Sequence, residues 1–374
     1  MTAAAKPVAR LPSHPVNYTP ELDPIADDEG EVAAEITETM LGIARTTYGH
    51  SGHAIRSVHA KSHGLLKAEL QVPLGLPPQL AQGVFSRPGH YPVVMRFSTV
   101  PGDLLSDKVS TPRGVAIKIL GVQGDRLEGS EGATTQDFIF VNGPVFPTAN
   151  PKAFLANLKL VASTTDKAEG AKEALSAVTR TTENLIETFG GKSGLLIALG
   201  GHPPTHILGE TFWNQLPVRY GQHIAKLQLM PTSPELKALT NKSLDLGTSD
   251  DVIREAVIAY FRDHDAVWDI RIQLATDLDD TPIEDPSQEW KEDRSPFTTV
   301  GRITARRQLG WSGARSTAID DGMGFSPWHS IEDHRPLGQM MRIRKLAYAE
   351  SQRFRSERNA TPVSEPTSLD AIPD

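Results

Sequence analysis

The chain of 374 residues contains no cysteine. Disulfide bonds, thiolate metal ligands, iron–sulfur clusters and cysteine-based zinc sites are therefore excluded. The absence also fits a reducing compartment, and we expect a cytoplasmic protein.

Long apolar runs and an excess of positive charge are missing as well. Nowhere do about 18 apolar residues follow one another, and residues 1–35 contain Pro, Asp and Glu without an apolar stretch. We expect neither a membrane-spanning helix nor a signal peptide. The 46 acidic residues outnumber the 38 basic ones, giving a net charge of -8. The sequence therefore lacks the broad positive field of a nucleic-acid-binding protein.

Short stretches that alternate apolar and polar residues predict eight strands in two groups of four. They lie at residues 66–72, 93–98, 114–120, 137–141, 212–220, 222–230, 267–275 and 298–305. Eight antiparallel strands can close into a barrel without free edges. We therefore expect an α+β fold, namely an antiparallel eight-stranded β-barrel with helical insertions.

Helical spacing of apolar residues predicts five helices around these strands. They lie at residues 29–47, 151–162, 167–189, 249–262 and 336–357, with Ser249 as the expected N-cap of the fourth. In domain terms, we expect an extended arm at 1–28 and one domain at 29–358. Residues 359–374 are rich in Pro, Ser, Thr and Asp, and we expect a disordered tail there.

The most informative segment is the basic run around Tyr348, which lies four residues after Arg344 and seven before Arg355. On a helix these offsets place the phenol and both guanidinium groups on one face. A phenol beside cations loses its proton more easily, and a phenolate can bind ferric haem iron. The segment predicts a haem protein. A tyrosine packed on the core of a basic, solvated helix is the alternative.

Two polar residues in the N-terminal half suit peroxide chemistry. His59 precedes a predicted strand, where a neutral imidazole can take a proton from a peroxide and return it to the departing oxygen. Asn142 follows the fourth strand, and a carboxamide there can hydrogen-bond a peroxide oxygen. Taken alone, a surface or core histidine is the simpler explanation of His59, and a turn residue is the simpler explanation of Asn142.

Arginines and phenylalanines supply the remaining candidates. Arg96 is a charge inside an apolar strand, and a buried guanidinium needs an anionic partner. A haem propionate would serve, and Arg56 and Arg355 are suited to the same groups, whereas an internal salt bridge is the alternative for Arg96. Phe146 and Phe154 are suited to packing on a flat macrocycle.

The ordered motifs resemble those of haem catalases. They are Arg-x-x-His-Ala-Lys at 56–61, Arg-Phe-Ser-Thr-Val at 96–100, Thr-Pro-Arg-Gly-x-Ala-x-Lys at 111–118 and Arg-x-x-x-Tyr at 344–348. The stretches at 142–146 and 150–154 resemble the distal Asn and haem-packing Phe segment of that family, if one residue is deleted near Asn142. The resemblance spans about residues 50–356.

The resemblance implies a buried haem b (iron protoporphyrin IX) and a role for each matching residue. His59 would be the distal acid–base residue, with Asn142 as its hydrogen-bonding partner. Tyr348 would be the axial ligand of the iron, with Arg344 as its stabilising cation. The remaining cofactor-binding residues would be Val58 and Ser98 on the distal side, Arg56, Arg96 and Arg355 at the propionates, and Phe146 and Phe154 against the ring.

The chain also departs from the family pattern. Ser62 replaces a Gly, and Tyr348 is followed by Ala-Glu rather than Pro-Asp. With 26 residues after Tyr348, we expect no C-terminal helical domain of the kind found in full-length catalases. These features look more like the short, catalase-related branch. The resemblance implies a haem-dependent peroxidase or catalase that breaks down organic peroxides and hydrogen peroxide. Its partners would be a small-molecule peroxide and an unknown electron donor, with no nucleic acid and a possible homo-oligomer.

Three other functions fit parts of the sequence. One is a catalase-like hydroperoxide isomerase of the allene oxide synthase type, although that branch tends to carry Thr where this chain has Val58. Another is a non-enzymatic haem carrier, which would not need both His59 and Asn142. The last is a haem-free metal site at His53, His59 and His63, which requires that segment to be helical.

Overall fold

A closed, eight-stranded antiparallel β-barrel is the centre of the molecule. The computed structural model describes residues 11–12, 14–109, 111–163 and 202–374. Its strands are β1 (Ser62–Val72), β2 (Gly89–Thr99), β3 (Arg113–Leu120), β4 (Thr135–Val141), β5 (Phe212–Trp213), β6 (Val218–Tyr220), β7 (His223–Pro231), β8 (Ala266–Leu274) and β9 (Thr298–Ala305). The order is β5-β4-β3-β2-β1-β9-β8-β7-β6, and an additional β5–β7 pairing closes the ring, leaving β6 as a hairpin partner of β7. The predicted fold class is confirmed.

Alternation along the strands fills the barrel. Every second residue of β1, from Leu66 to Val72, belongs to one buried apolar cluster, and β2, β3, β7 and β8 contribute in the same way. Successive side chains of a strand point to opposite faces, so this period of two separates an inner from an outer face. The outer faces of β1, β2 and β3 are covered too, because Leu65, Val94 and Leu120 pack against Ile319 and Met323.

Four longer helices surround the barrel. They are α1 (Glu29–Ser51), α2 (Pro151–Ala162), α3 (Val252–Asp263) and α4 (Lys345–Asn359). Single helical turns lie at Pro20–Leu22, Gly83–Ser86, Ile207–Gly209, Pro234–Lys237, Gly313–Ser316, Thr317–Asp321, Glu332–His334, Gln339–Arg342 and Leu369–Ala371. The helix predicted at 167–189 lies outside the described residues. Asp251 rather than Ser249 is the N-cap of α3, and Ser249 instead bonds Glu255 (2.8 Å).

Two predicted elements are broken by local backbone conformation. The strand expected at 212–220 is two short strands, because Gln215 has φ of 57° in the left-handed region and turns the chain between them. The helix expected at 336–357 begins only at Gln339 and is interrupted before Lys345. Gly338, with φ of 88°, cannot belong to its first turn.

Residues 360–374 differ from the predicted disordered tail, because they lie along the barrel. Ile372 is 1% exposed and packs against the outer face of β1 and β2. Glu365 accepts hydrogen bonds from the fully buried Lys118 (2.5 Å) and from Thr135 (2.7 Å). The composition resembled that of a disordered segment, but one buried isoleucine and one paired carboxylate hold it in place.

Candidate functional site

One large cavity lies between the barrel and α4. Its volume is about 960 Å³, at the upper end of the range for ligand sites. All eleven residues predicted from the sequence line it, namely Arg56, Val58, His59, Arg96, Ser98, Asn142, Phe146, Phe154, Arg344, Tyr348 and Arg355. Residues up to 299 positions apart in the sequence therefore meet at one site, from Arg56 to Arg355.

The end of the barrel holds His59 in a defined position. Its backbone N–H donates to the Val100 carbonyl (2.7 Å), and its Nδ1 lies 3.1 Å from the Ser98 hydroxyl on β2. The backbone φ of 55° is unusual for histidine and is stabilised by these contacts. The imidazole also packs on Gly114 of β3, where a Cβ atom would lie 2.5 Å from its Cε1. Only glycine leaves room for the ring there.

The surroundings of His59 keep its imidazole neutral. Burial is the largest cause, and the positive charges of Arg96 and then Arg56 act in the same direction, so the pKa of His59 falls to about 3. A cationic ring beside guanidinium groups would be strongly disfavoured. At neutral pH one ring nitrogen therefore carries no proton and can accept one.

Three arginines, Arg56, Arg96 and Arg355, form a group that we call the arginine trio. All three bind Asp320. Its side chain accepts hydrogen bonds from Arg96 Nε (2.6 Å) and Arg56 Nη1 (3.4 Å). Its backbone carbonyl accepts from Arg56 (2.7 Å) and Arg355 (2.6 Å). The sequence-based alternative for Arg96, an internal salt bridge, is therefore present.

The arginine trio nevertheless fits a further anionic group. Among the described residues, Asp320 is the carboxylate that accepts hydrogen bonds from the trio, so two of its positive charges are not balanced by such a partner. The neighbouring Asp321 hydrogen-bonds His53 (3.0 Å) and acts on Arg56 and Arg355 only through its charge. Arg355 Nε is buried without a hydrogen-bond partner in the described part of the chain. A ligand with two carboxylates, such as haem, would supply both missing charges.

Tyr348 and Arg344 lie together on another wall. Arg344 is the N-cap of α4, and its carbonyl accepts from the Tyr348 backbone N–H (3.2 Å). Burial lowers the pKa of Arg344, and the nearby Tyr348 opposes that shift, as expected for a cation beside a phenolic oxygen. The Arg344 guanidinium lies 5.2 Å from the centre of the Phe146 ring, which packs on Phe154 at 5.4 Å.

The N-terminal arm fixes the start of this wall. Arg342, two residues before Arg344, binds Glu29 at the start of α1 (2.9 Å) and also Asp23 in the arm. Arg344 Nε donates to the Met340 carbonyl (3.0 Å). These contacts tie the cation beside Tyr348 to α1 and the arm.

Asn142 lines the cavity, but its carboxamide is occupied. Its Oδ1 accepts from the Arg113 backbone N–H (2.8 Å), and its Nδ2 lies 2.7 Å from His202 Nε2 and binds the Glu210 carboxylate. Both N–H donors are thus used within the protein, which does not suit the predicted hydrogen bond to a peroxide. Glu210 is held in turn by the buried Arg113 (2.8 Å).

The sequence reasoning missed Asp320 and Glu210. Both are ordinary acidic residues in segments without a recognisable motif. The one available signal was indirect, because the buried Arg96 required an acidic partner that the sequence did not identify.

The structure does not support the alternative of a haem-free metal site at His53, His59 and His63. Residues 52–61 form no helix, His53 binds Asp321 (3.0 Å) and His63 lies 3.2 Å from Thr99. Across residues 14–109, 111–163 and 202–374, no group of three or more His, Asp or Glu is placed to hold a metal ion. In the same ranges, every helix is too short or too polar to cross a bilayer.

The barrel and its surrounding helices have the architecture of solved catalases. No protein-family model and no curated protein sequence matches the chain. Solved catalase structures do match: a fungal catalase (18% identity, TM-score 0.58, covering 85% of this chain and 64% of that one), catalase A from Saccharomyces cerevisiae (17%, 0.56, 82% and 62%) and a bacterial catalase (16%, 0.53, 95% and 67%).

At such low identity the likeness establishes the fold, and this chain has the catalase-like fold that the sequence motifs predicted. The chain spans less than two thirds of the length of the first two catalases.

Proposed function

We propose that the protein is a haem-dependent peroxidase or catalase that breaks down organic peroxides and hydrogen peroxide in the cytoplasm. The observation that carries the proposal is that His59, Tyr348 and the arginine trio all line the same cavity. A haem b group matches these walls, because it needs one axial oxygen ligand, cations for two propionates and apolar walls for its ring.

The residues that would hold the group follow from their chemistry. Tyr348 would bind the iron through its phenolic oxygen, with the Arg344 guanidinium as the neighbouring cation. The arginine trio would bind the propionates, and Phe146 and Phe154 would pack on the ring. When bound, haem would supply the redox centre at which the O–O bond of a peroxide is broken.

His59 would move the proton in this reaction. Ser98 engages Nδ1 at 3.1 Å, so Nε2 is the ring nitrogen left for substrate. That nitrogen would take the proton from the peroxide O–H and return it to the departing oxygen. Carboxylates of a bound ligand would partly offset the charges of Arg96 and Arg56, and so raise the pKa of His59 from its ligand-free value of about 3.

Asn142 has a different part in this proposal from that in the sequence prediction. Its bonds to Arg113 and Glu210 place it as a positioning residue that fixes the end of β4 beside the site. Donation to a peroxide would require the amide to leave Glu210 or His202 first.

We expect organic peroxides with a small-molecule electron donor to be better substrates than hydrogen peroxide alone. The test is turnover by the haem-loaded protein, measured with cumene hydroperoxide plus a dye donor, and as oxygen release from hydrogen peroxide. Oxygen release that exceeds dye oxidation would reverse this order. Product analysis with a fatty-acid hydroperoxide separates both activities from an isomerase.

Replacing His59 is the decisive variant for the proton-transfer role. His59→Ala should lower peroxide turnover about 1000-fold, because general acid–base groups contribute 10²–10⁴-fold. The haem absorption band should remain. The matched control is His90→Ala, an exposed histidine paired with Glu69 (2.8 Å), which should leave turnover unchanged. Turnover that survives His59→Ala would refute the role assigned to His59. Failure of the unsubstituted chain to bind haem would refute the proposed function itself.

A further inference from the structure

Asp320 lies behind the arginine trio and does not line the cavity. It belongs to a short π-helical turn, Thr317–Asp321, that packs on the outer face of β1 and β2. Such turns displace the backbone from regular α-helix geometry and are frequent at functional sites. Here the turn presents a side-chain oxygen and a backbone carbonyl of one residue to the trio.

The hydrogen bonds of Asp320 divide into two sets. Oδ1 accepts from Arg96 Nε at 2.6 Å and from Arg56 Nη1 at 3.4 Å. Oδ2 accepts from the hydroxyls of Ser62 and Ser316, each at 2.7 Å. The carboxylate is therefore fully engaged and cannot turn away from the guanidinium groups.

The charge of Asp320 acts on all three arginines. Burial lowers the pKa of Arg56 and Arg355, and the positive charge of Arg96 acts in the same direction, whereas Asp320 and its neighbour Asp321 oppose the shift. The Asp320 carboxylate itself is held ionised, because Arg96 and Arg56 keep its pKa low although burial acts in the other direction. The trio thus consists of three close cations with Asp320 hydrogen-bonded behind them, while Asp321 acts on two of them through its charge without a hydrogen bond to the trio.

We infer that Asp320 sets the charge of the arginine trio and thereby the strength with which the cavity binds carboxylates. This inference rests on the proposed function, since it deepens the account of how the site would hold propionates. Asp320 is a positioning residue: it contacts the arginines and not the ligand. By balancing one guanidinium it stabilises the ligand-free chain and weakens the attraction for an incoming dicarboxylate.

The substitution Asp320→Asn isolates the charge from the geometry. The amide oxygen can still accept from Arg96 Nε, and the amide nitrogen can donate to Ser62 and Ser316 in place of Oδ2. The backbone carbonyl that binds Arg56 and Arg355 is unchanged. The comparison variant is Asp321→Asn, which removes an equal charge one position further: this carboxylate binds the half-exposed His53 and acts on Arg56 and Arg355 without a hydrogen bond to them.

The experiment measures binding of metal-free protoporphyrin IX and of its dimethyl ester by fluorescence, which needs neither iron nor turnover. For Asp320→Asn we expect about a tenfold gain in the ratio of affinities, free acid over ester, from the lost negative charge. Asp321→Asn should change this ratio of affinities much less. If Asp320 had only a structural role, the substitution would weaken the binding of the free acid and of the ester alike. An unchanged or reduced ratio of the two affinities would overturn the inference.

A second measurement separates this inference from the proposed function. Without ligand, Asp320→Asn should melt several degrees below Asp321→Asn in low salt, because three guanidinium groups then repel one another. If no porphyrin binds any variant, the proposed function fails, and melting alone decides the role of Asp320. In that case, equal melting temperatures of the two variants would overturn the role inferred for Asp320, and the expected difference would support this role.

Discussion

The wall of the cavity that carries His59 and the wall that carries Tyr348 are held by different interactions. The first, which we call the barrel wall, consists of His59, three residues before β1, and of Ser98 and Gly114 at the ends of β2 and β3. It is positioned by backbone hydrogen bonds and by close packing on a glycine. The second, the charged wall, consists of Arg344, Tyr348 and the arginine trio. It is fixed largely by ion pairs and hydrogen bonds of guanidinium groups, including those of the trio to Asp320 behind it.

The two walls therefore have different roles. The barrel wall determines geometry, because a strand end cannot shift without breaking its ladder. The charged wall determines the affinity for anionic ligands, because each buried guanidinium group needs an anionic partner. The number of guanidinium groups therefore sets how many negative charges the site binds. Variants of the first wall should therefore change the rate of reaction, and variants of the second should change the binding of ligand.

Among variants that keep His59 itself, the largest effect is expected from Gly114→Ala on the barrel wall. The new Cβ would lie 2.5 Å from His59 Cε1 and 3.0 Å from the Phe140 carbonyl oxygen, so the imidazole must move. A displacement of about 1 Å can cost 10²-fold in rate, and we expect about that loss in kcat with little change in porphyrin affinity. The control is Gly89→Ala, where the nearest atom would be at 3.7 Å. Equal activity of the two variants would show that the packing of His59 is not important.

Acid pH should distinguish the barrel from the charged wall through stability. His334 is 1% exposed inside the barrel, and burial lowers its pKa to about 3. The unfolded chain therefore binds more protons below about pH 6.5, and the free energy of unfolding falls with pH from there down to about 3. At pH 5 this single group costs about 2 kcal/mol relative to neutral pH.

The test is urea denaturation of His334→Gln at pH 7 and pH 5. The amide oxygen can still accept from the Val84 N–H (3.0 Å in the native chain), but it does not titrate, so the loss at pH 5 should shrink by about 2 kcal/mol. Asp320→Asn should leave the difference between pH 7 and pH 5 unchanged. The low pKa of Asp320 makes its stabilising contribution vanish only below about pH 4. Identical pH dependence of both variants would contradict this distinction.

The smallest effect is expected from Ser98→Ala. It removes the hydroxyl 3.1 Å from His59 Nδ1, whereas the backbone bond to Val100 and the contact with Gly114 remain. The loss of one neutral hydrogen bond corresponds to roughly a fivefold fall in kcat for peroxide turnover. Ser106→Ala, away from His59, is the control. A fall as large as that for His59→Ala would mean that Ser98 and not packing orients the imidazole.

Much of the fold was readable from the sequence because its signals are local. Alternation of apolar residues predicted the eight barrel strands, apart from the break that Gln215 introduces between β5 and β6. The ordered motifs also predicted which residues would line one cavity, from Arg56 to Arg355.

The partners of these residues could not be predicted in the same way. Asp320 meets Arg96 across 224 positions, and Glu210 meets Asn142 across 68 positions, and neither pair leaves a periodic or motif-like trace. The order of the C-terminal tail was missed for the same reason, since it depends on the buried contact of Ile372 with the barrel.

The central claim is that a porphyrin binds between His59 and Tyr348, with the Tyr348 oxygen on the iron. The most direct measurement is the absorption and resonance Raman spectrum of the haem-loaded chain, compared with Tyr348→Phe and with Tyr91→Phe. Tyr91 is a partly buried tyrosine whose hydroxyl donates to the Arg87 carbonyl (3.0 Å). The account predicts a high-spin ferric, phenolate-type spectrum that Tyr91→Phe retains and Tyr348→Phe loses. The same spectrum in all three proteins would contradict it.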